Sequence, residues 1–123
     1  MKIKNEEIMN LYETLVRISE DKDMIFSIKI GYQLAKIKIK LKDEVNIIYN
    51  LREKILREAG NENQDGDFII PKEKILETNN KIIELMNIEN ELDLPSIELQ
   101  DINLNLSIKD IEGLLPIIKI KSE

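Results

Sequence analysis

A helical spacing of apolar residues near the start of the chain predicts the first helix. Asn5, followed by Glu6 and Glu7, is typical of a helix start, with a capping side chain and two acids in the first turn. The apolar residues that follow are mostly three or four positions apart: Ile8, Leu11, Tyr12, Leu15 and Ile18. The polar run 20–23 ends this helix, and Asp23 is placed to cap the next one.

Two apolar stripes in the next segment predict one long helix from about Met24 to Glu58. The first stripe consists of Ile30, Leu34, Ile37, Leu41, Val45, Ile48 and Ile55. The second lies on roughly the opposite side and consists of Ile28, Tyr32, Ala35 and Ile39. At about 1.5 Å per residue the helix would span on the order of 50 Å. Residues 37–41 alternate as in a strand, but their periodic context favours helix.

A helix that is apolar on two sides is expected to be buried on two sides. Its first half is therefore predicted to lie between neighbouring elements. Those neighbours are either other parts of this chain or another subunit or partner, and the sequence leaves this choice open.

The remainder of the chain changes from helical to extended patterns. Residues 59–67 are polar with two glycines and predict a loop, and Phe68-Ile69-Ile70 is short and extended. Pro71 suits the first position of a third helix that runs to about Asn87. Its predicted inward residues are Ile75, Leu76, Ile82, Ile83 and Met86.

Alternating residues predict extended chain after the third helix. The apolar members are Leu92, Leu94, Ile97, Leu99, Ile102, Leu104 and Leu106, with Pro95 as an interruption. Ser107 to Asp110 has the form of a helix cap, and Gly113 and Pro116 close a short helix. Residues 117–120 are predicted as a last strand.

The predicted fold is mainly α, with some β structure. It consists of an antiparallel helical hairpin with one long helix, a third helix and a small extended C-terminal part. At 123 residues the chain fits one domain spanning 1–123, helical over 5–87 and extended with a short helix over 88–123. No signal-peptide core or membrane-length apolar run occurs, so the expected location is the cytoplasm.

Composition argues against most catalytic chemistry. The chain contains neither cysteine nor histidine, which excludes disulfides, thiolate or imidazole metal ligands and every catalytic scheme that uses these side chains. Its four glycines are isolated, so no phosphate-binding loop is present. We expect no enzyme activity and no cofactor.

The charge is unevenly distributed. Residues 1–42 carry nine lysines and arginines against six acids, whereas residues 43–123 carry nine against eighteen, within a total of −6. Such an acidic chain is not expected to bind nucleic acid directly. The asymmetry favours steering of a protein partner.

A loop with calcium-like spacing is the sharpest local motif. Asn61, Asn63, Asp65 and Asp67 follow the opening ligand positions of an EF-hand loop. The closing position, however, is Lys72, which would repel the cation. A glycine-containing turn is the favoured interpretation, and no metal site is predicted.

Two charged groups are the candidate partner-binding residues. The acidic group is Glu84, Glu89, Glu91, Asp93, Glu98 and Asp101. Pairs among Glu89, Glu91 and Asp93 could bind Mg²⁺ or act as acid and base, but a solvated acidic face or a protein contact explains the group better. The basic group is Lys29, Lys36 and Lys40, on one side of the long helix. It is either a site for phosphate or an acidic partner, or a solvated face.

Three segments resemble a family of short, uncharacterised proteins encoded by phages and prophages of Firmicutes-type bacteria. They are residues 26–36 opening the long helix, residues 83–99, and the ending 106–115. The short polar insert between Gly60 and Asp67 departs from that family's pattern. The resemblance implies a mobile-element origin and transfers no catalytic residues.

We therefore expect a phage-type accessory protein that binds a host or phage protein. An inhibitor of a bacterial defence complex is the leading version, with the acid-rich stretch 84–101 in contact with a basic channel. One alternative is a homo-oligomeric assembly or scaffolding factor held together by the long helix. Another is a nucleotide sponge in which Lys36 and Lys40 hold the phosphates.

Overall fold

The computed structural model describes residues 1–98 and 106–119. The helices within them are α1 (Asn5–Glu20), α2 (Ile28–Ala59), α3 (Ile75–Met86) and α4 (Ile108–Leu114), with 3-10 turns at Lys72–Lys74 and Leu115–Ile117. The strands are β1 (Lys2–Lys4), β2 (Asn61–Glu62), β3 (Phe68–Ile69), β4 (Glu89–Glu91), β5 (Ile97–Glu98) and β6 (Ile118–Lys119). The predicted class, mainly α with small β pieces, is confirmed.

The start of α1 differs from the prediction. Lys4 occupies the cap position, and its backbone N–H donates to the Glu7 carboxylate at 3.1 Å. Asn5 is buried inside the first turn, where its side-chain amide donates to the Leu85 carbonyl at 2.7 Å. Its side-chain oxygen accepts from the Asn90 amide, also at 2.7 Å. The prediction that Asn5 caps α1 is wrong because this side chain joins α1 to α3 and β4 instead.

The start of α2 also lies later than predicted. Ser27 is the cap, and its hydroxyl accepts from the Ile30 N–H at 3.2 Å. The assignment of Asp23 as the cap is therefore wrong. From Ile28 the helix continues for 32 residues to Ala59, about 48 Å, without a break at Gly31. The strand-like alternation at 37–41 is overridden by the longer helical pattern.

The core lies between α1, the first stripe of α2 and the C-terminal part of the chain. From α1 it contains Ile8, Leu11, Leu15 and Ile18, and from α2 Ile30, Leu34, Ile37, Leu41, Val45 and Ile48. The C-terminal part adds Leu94, Ile97, Leu106, Leu114 and Ile117. Most of the predicted first stripe of α2 is thus confirmed as the buried face, with Ile55 half-buried.

The second stripe of α2 is not buried by the rest of the chain. The exposed fractions of Ile28, Tyr32 and Ile39 are 93%, 64% and 72%. Burial on two sides by elements of this chain is therefore wrong. Helical spacing groups residues on one face, but it carries no information about whether another element covers that face.

α4 packs closely against α1. Ser107 caps α4, as predicted, by accepting from the Asp110 N–H at 3.1 Å. Gly113 lies inside this helix, so the prediction that it closes α4 is wrong. A Cβ added to Gly113 would lie 2.0 Å from the Thr14 hydroxyl. The glycine is therefore a contact residue that lets the two helices approach each other.

α3 packs against the second half of α2 through a narrow face. Its buried residues are Thr78 and Leu85, and Ile82 and Met86 are half-buried as predicted. The inward placement of Ile75, Leu76 and Ile83 is wrong, since they are 44%, 74% and 56% exposed. Pro71 precedes the 3-10 turn and not the α-helix itself.

Three two-stranded pairings occur within the described residues, and two of them join distant parts of the chain. β1 pairs antiparallel with β4, β2 with β3 in a hairpin, and β5 runs parallel to β6. The extended predictions at 68–69 and 118–119 are thereby confirmed. Those for Leu99, Ile102, Leu104 and Ile120 fall outside the described residues. In the part of the chain that is described, no helix combines the length and the apolarity needed to cross a membrane.

Candidate protein-binding surface

The exposed apolar side of α2 is the main candidate for a binding surface. We name it the outer face, and it comprises Ile28, Tyr32, Ala35 and Ile39. On a helical wheel these positions fall within about 60°, roughly opposite the buried stripe of the same helix. All four residues are exposed. The outer face is thus a continuous apolar strip about 16 Å long that this chain leaves in water.

Two of the predicted lysines border the outer face. Lys29 and Lys36 are exposed and lie seven residues apart, so they stand two turns from each other along one edge. The Lys36 ammonium lies 5.4 Å from the centre of the Tyr32 ring, in cation–π range. The edge of the outer face is therefore positively charged.

The third predicted lysine turns away from that edge. The Lys40 ammonium donates to the backbone carbonyl of Asp93 at 3.1 Å, which fixes it to the segment after β4. Lys36 and Lys40 thus have different neighbours, and the structure does not bring them together as a pair of phosphate ligands.

An open groove continues the apolar surface beside the outer face. It has a volume of about 280 Å³ and lies between α1, the loop before α2 and α2 itself. Its lining residues are Leu15, Ile18, Ser19, Met24, Phe26, Gly31, Leu34, Ala35 and Lys38. A Cβ on Gly31 would have no atom within 4 Å. Because Gly31 and Ala35 have little or no side chain, the backbone of α2 lies close to the surface of the groove and is accessible.

The acidic group does not form one uncompensated surface. In the β1–β4 pairing Glu91 lies opposite Lys2, and Glu89 lies opposite Lys4. Glu91 also accepts a hydrogen bond from the Met1 ammonium at 2.9 Å. Opposite charges across a strand pair compensate each other, so this part of the predicted contact is close to neutral.

The other acids are dispersed. Glu84 borders a cavity of about 350 Å³ between α2 and α3, Asp93 is exposed, and Glu98 lies half-buried in β5. Asp101 falls outside the described residues.

The exposed side of α3 was missed in the sequence because its apolar residues were assigned to the core. Leu76 and Ile83 lie seven residues apart on this side. The acids that follow each of them, Glu77 and Glu84, form a negative edge. Glu77 makes an exposed intrahelical ion pair with Lys81 at 3.4 Å, of a kind that contributes little.

The calcium-like loop is organised as a turn. The Asn63 side-chain oxygen accepts from the backbone N–H groups of Asp65 and Asp67 at 2.9 and 3.0 Å. Gly66 has a φ of 83°, which favours glycine. Within residues 1–98 and 106–119 no three carboxylates stand close enough to hold a metal ion. The side chain that would be a ligand therefore stabilises the hairpin between β2 and β3.

One partly buried ion pair was not predicted. The Arg17 Nε–H donates to the Asp110 carboxylate at 3.0 Å, joining α1 to the start of α4. Burial alone would raise the pKa of Asp110, but hydrogen bonds from Arg17 and Ser107 outweigh it and hold this pKa below its usual value. The two residues are 93 positions apart, and no local pattern connects them. The pair stabilises the packing of α1 and α4.

Comparison with known proteins adds no relative: no family model, no curated protein and no solved structure matches this chain. The resemblance to phage and prophage proteins therefore stays a prediction. The function has to be argued from the surface itself.

Proposed function

We propose that this protein acts by binding another protein through the outer face of α2. The observation that carries the proposal is the exposure of Ile28, Tyr32 and Ile39 on the side of α2 opposite the core. Isolated apolar residues on a surface need no explanation, but a strip of four at helical spacing does. A partner helix or strand laid along it would remove that strip from water.

Burial of the outer face would supply part of the free energy of a specific association. Burying one large apolar side chain is worth about 1.5–3 kcal/mol before the costs of association. Tyr32 is the type of residue that often dominates binding energy, because it is large and loses little conformational entropy. Lys29 and Lys36 add selectivity for a partner with acidic side chains at the edge of its contact.

A binding role is also consistent with the composition. A chain without cysteine and histidine lacks the thiolate and imidazole groups that many catalytic nucleophiles, bases and metal sites use. We retain within this proposal a phage-type accessory protein in the cytoplasm of a bacterial host, supported by the resemblance of residues 26–36, which contain three of the four residues of the outer face. An inhibitor of a defence complex is one form that it can take.

For that inhibitor, the proposed contact is the outer face in place of the acidic stretch 84–101. Glu89 and Glu91 lie opposite lysines, so they are poor mimics of a row of phosphates. Charge reversal of Glu89 and Glu91 tests the earlier assignment, since loss of binding would restore the acidic stretch as the contact.

Site-specific photo-crosslinking tests the proposal. A benzoylphenylalanine placed at Tyr32 is expected to give a discrete adduct in a bacterial host lysate or with purified protein. The matched control is the same substitution at Tyr49, on the same helix and 50% exposed. An adduct at position 32 alone supports the outer face. Equal adducts at both positions, or none at 32, would contradict it.

A further inference from the structure

The outer face of α2 and the exposed side of α3 are complementary in both apolarity and charge. The outer face presents Tyr32 and Ile39 beside Lys29 and Lys36, and α3 presents Leu76 and Ile83 beside Glu77 and Glu84. In each case the apolar residues are seven apart, and so are the charged residues. α3 has twelve residues, about 18 Å, and the outer face extends over the twelve positions 28–39, so the lengths match.

We infer that the occupant of the outer face is α3 of a second copy of this chain, docked antiparallel. This inference rests on the proposed function and specifies its partner. With Tyr32 against Ile83 and Ile39 against Leu76, both apolar contacts share one register, because the paired residue numbers decrease on one helix as they increase on the other. Two antiparallel helices packed at about 8–10 Å bring such facing positions into contact.

The same register pairs the charges. The lysines and the glutamates are displaced in the same rotational sense from the apolar strip of their own helix. In an antiparallel pair, edges of the same sense lie on the same side of the interface. Lys29 then faces Glu84 of the second copy, and Lys36 faces Glu77 of the second copy. A parallel arrangement places these edges on opposite sides and forms neither pair.

Pairing of two outer faces is disfavoured by charge. An antiparallel contact between two copies of α2 that aligns Ile28 with Ile39 and Tyr32 with Ala35 also satisfies the apolar positions. It brings Lys29 of each copy against Lys36 of the other, so two like-charged pairs face each other. The acidic edge of α3 removes this repulsion, which is why the observations favour α3 as the occupant.

The contact is heterologous, since it uses a different surface on each copy. After a single pairing, one chain keeps a free α3 and the other keeps a free outer face. Contacts of this kind continue into open chains unless the rotation closes a ring. We therefore expect a mass that rises with protein concentration.

Charge exchange tests the pairing. Lys29→Glu with Lys36→Glu, and separately Glu77→Lys with Glu84→Lys, should each weaken self-association about tenfold or more. All four residues are exposed, so circular dichroism should show both variants folded. Sedimentation velocity over a range of concentrations measures the association of each variant alone. The matched control for the lysine variant is Lys109→Glu with Lys119→Glu, which makes the same change in net charge elsewhere and should leave association unchanged.

Mixing the two variants gives the sharper result. The reversed α2 of one variant meets the reversed α3 of the other, and the remaining faces still form the native pairing. An equimolar mixture should therefore recover the association that each variant lacks alone. Failure to recover, or association unaffected by either variant, would overturn the assigned register.

The outcomes separate this inference from the proposed function. A wild-type protein that stays monomeric at every concentration overturns the pairing of copies. If that monomer still gives the adduct at position 32, the outer face takes a foreign acidic helix and the proposed function stands. If neither association nor adduct is found, both are overturned.

Discussion

α1 and α3 are helices of the same chain with opposite relations to the core. α1 buries six of its sixteen residues, from Asn5 to Ile18, and is covered by α2 on one side and α4 on another. α3 buries two of its twelve and leaves Leu76 and Ile83 in water. Both sequences are amphipathic, so the difference comes from the number of neighbours. An apolar stripe on a helix is stabilised when another element covers it. Other elements of the chain cover the apolar residues of α1, whereas they leave Leu76 and Ile83 of α3 exposed.

Truncation of one leucine on each helix gives the largest contrast. Leu11 is fully buried and Leu76 is 74% exposed. Leu11→Ala should lower the free energy of unfolding by about 2–5 kcal/mol through lost burial and the cavity left behind. Leu76→Ala should change it by less than about 0.5 kcal/mol. Urea unfolding at low protein concentration, where copies do not associate, measures both, and equal effects would break the comparison.

Substitution of each of the two helical glycines by alanine should change stability by an intermediate amount, in opposite directions. Gly113→Ala forces its Cβ against Thr14 and should destabilise the protein by about 1–3 kcal/mol. Gly31→Ala meets no atom within 4 Å and should stabilise it by about 0.5–1 kcal/mol through helix propensity. Thermal unfolding of both variants measures the difference. A stable Gly113→Ala protein would mean that α4 can move away from α1.

The carboxylates that end in ion pairs give the smallest contrast. Asp110→Asn should lower the free energy of unfolding by about 1 kcal/mol at neutral pH, because the ion pair with Arg17 is lost. The effect is small because Arg17 is partly solvated. Since the folded pKa of Asp110 is lowered, its contribution is present above the unfolded pKa and is lost as the pH falls through the folded one. The difference between wild type and variant should therefore shrink in acid.

Glu77→Gln is the matched control for that change. Its pair with Lys81 is exposed, so removal of the charge should leave stability within experimental error. Two results would contradict the role of the partly buried pair. One is an equal loss of stability in Glu77→Gln and Asp110→Asn. The other is a stability difference between wild type and Asp110→Asn that does not shrink in acid.

Local patterns in the sequence predicted the elements well. Periodicity identified α1, the long α2, the third helix and the buried stripe from Ile30 to Ile48, because the core imposes a 3.6-residue repeat on each helix. The cap at Ser107 was recognisable from its own turn. These features depend on residues within a few positions of one another.

Coverage of each face could not be predicted in the same way. Ile28 and Ile30 are the same residue type, yet only Ile30 belongs to the core cluster, whereas Ile28 is exposed. Asn5 was assigned to a cap because its neighbours fit that role, but its partners lie at Leu85 and Asn90. The acidic group was grouped by sequence proximity, and the lysines of β1 that compensate it are distant in the chain. Lys29 and Lys36 were predicted as binding residues, whereas the exposed apolar residues of α3, Leu76 and Ile83, were assigned to the interior.

The pairing of β1 with β4 has a consequence for the order of folding. α1 and α2 are adjacent in the chain, so their contact needs only a short loop to close. The hydrogen bond between Asn5 and Asn90 spans 85 positions. The chain between them loses conformational entropy when this loop closes, before any contact compensates that loss. On a ribosome the helical hairpin can therefore assemble early, while its first strand stays without a partner until β4 has emerged from the exit tunnel.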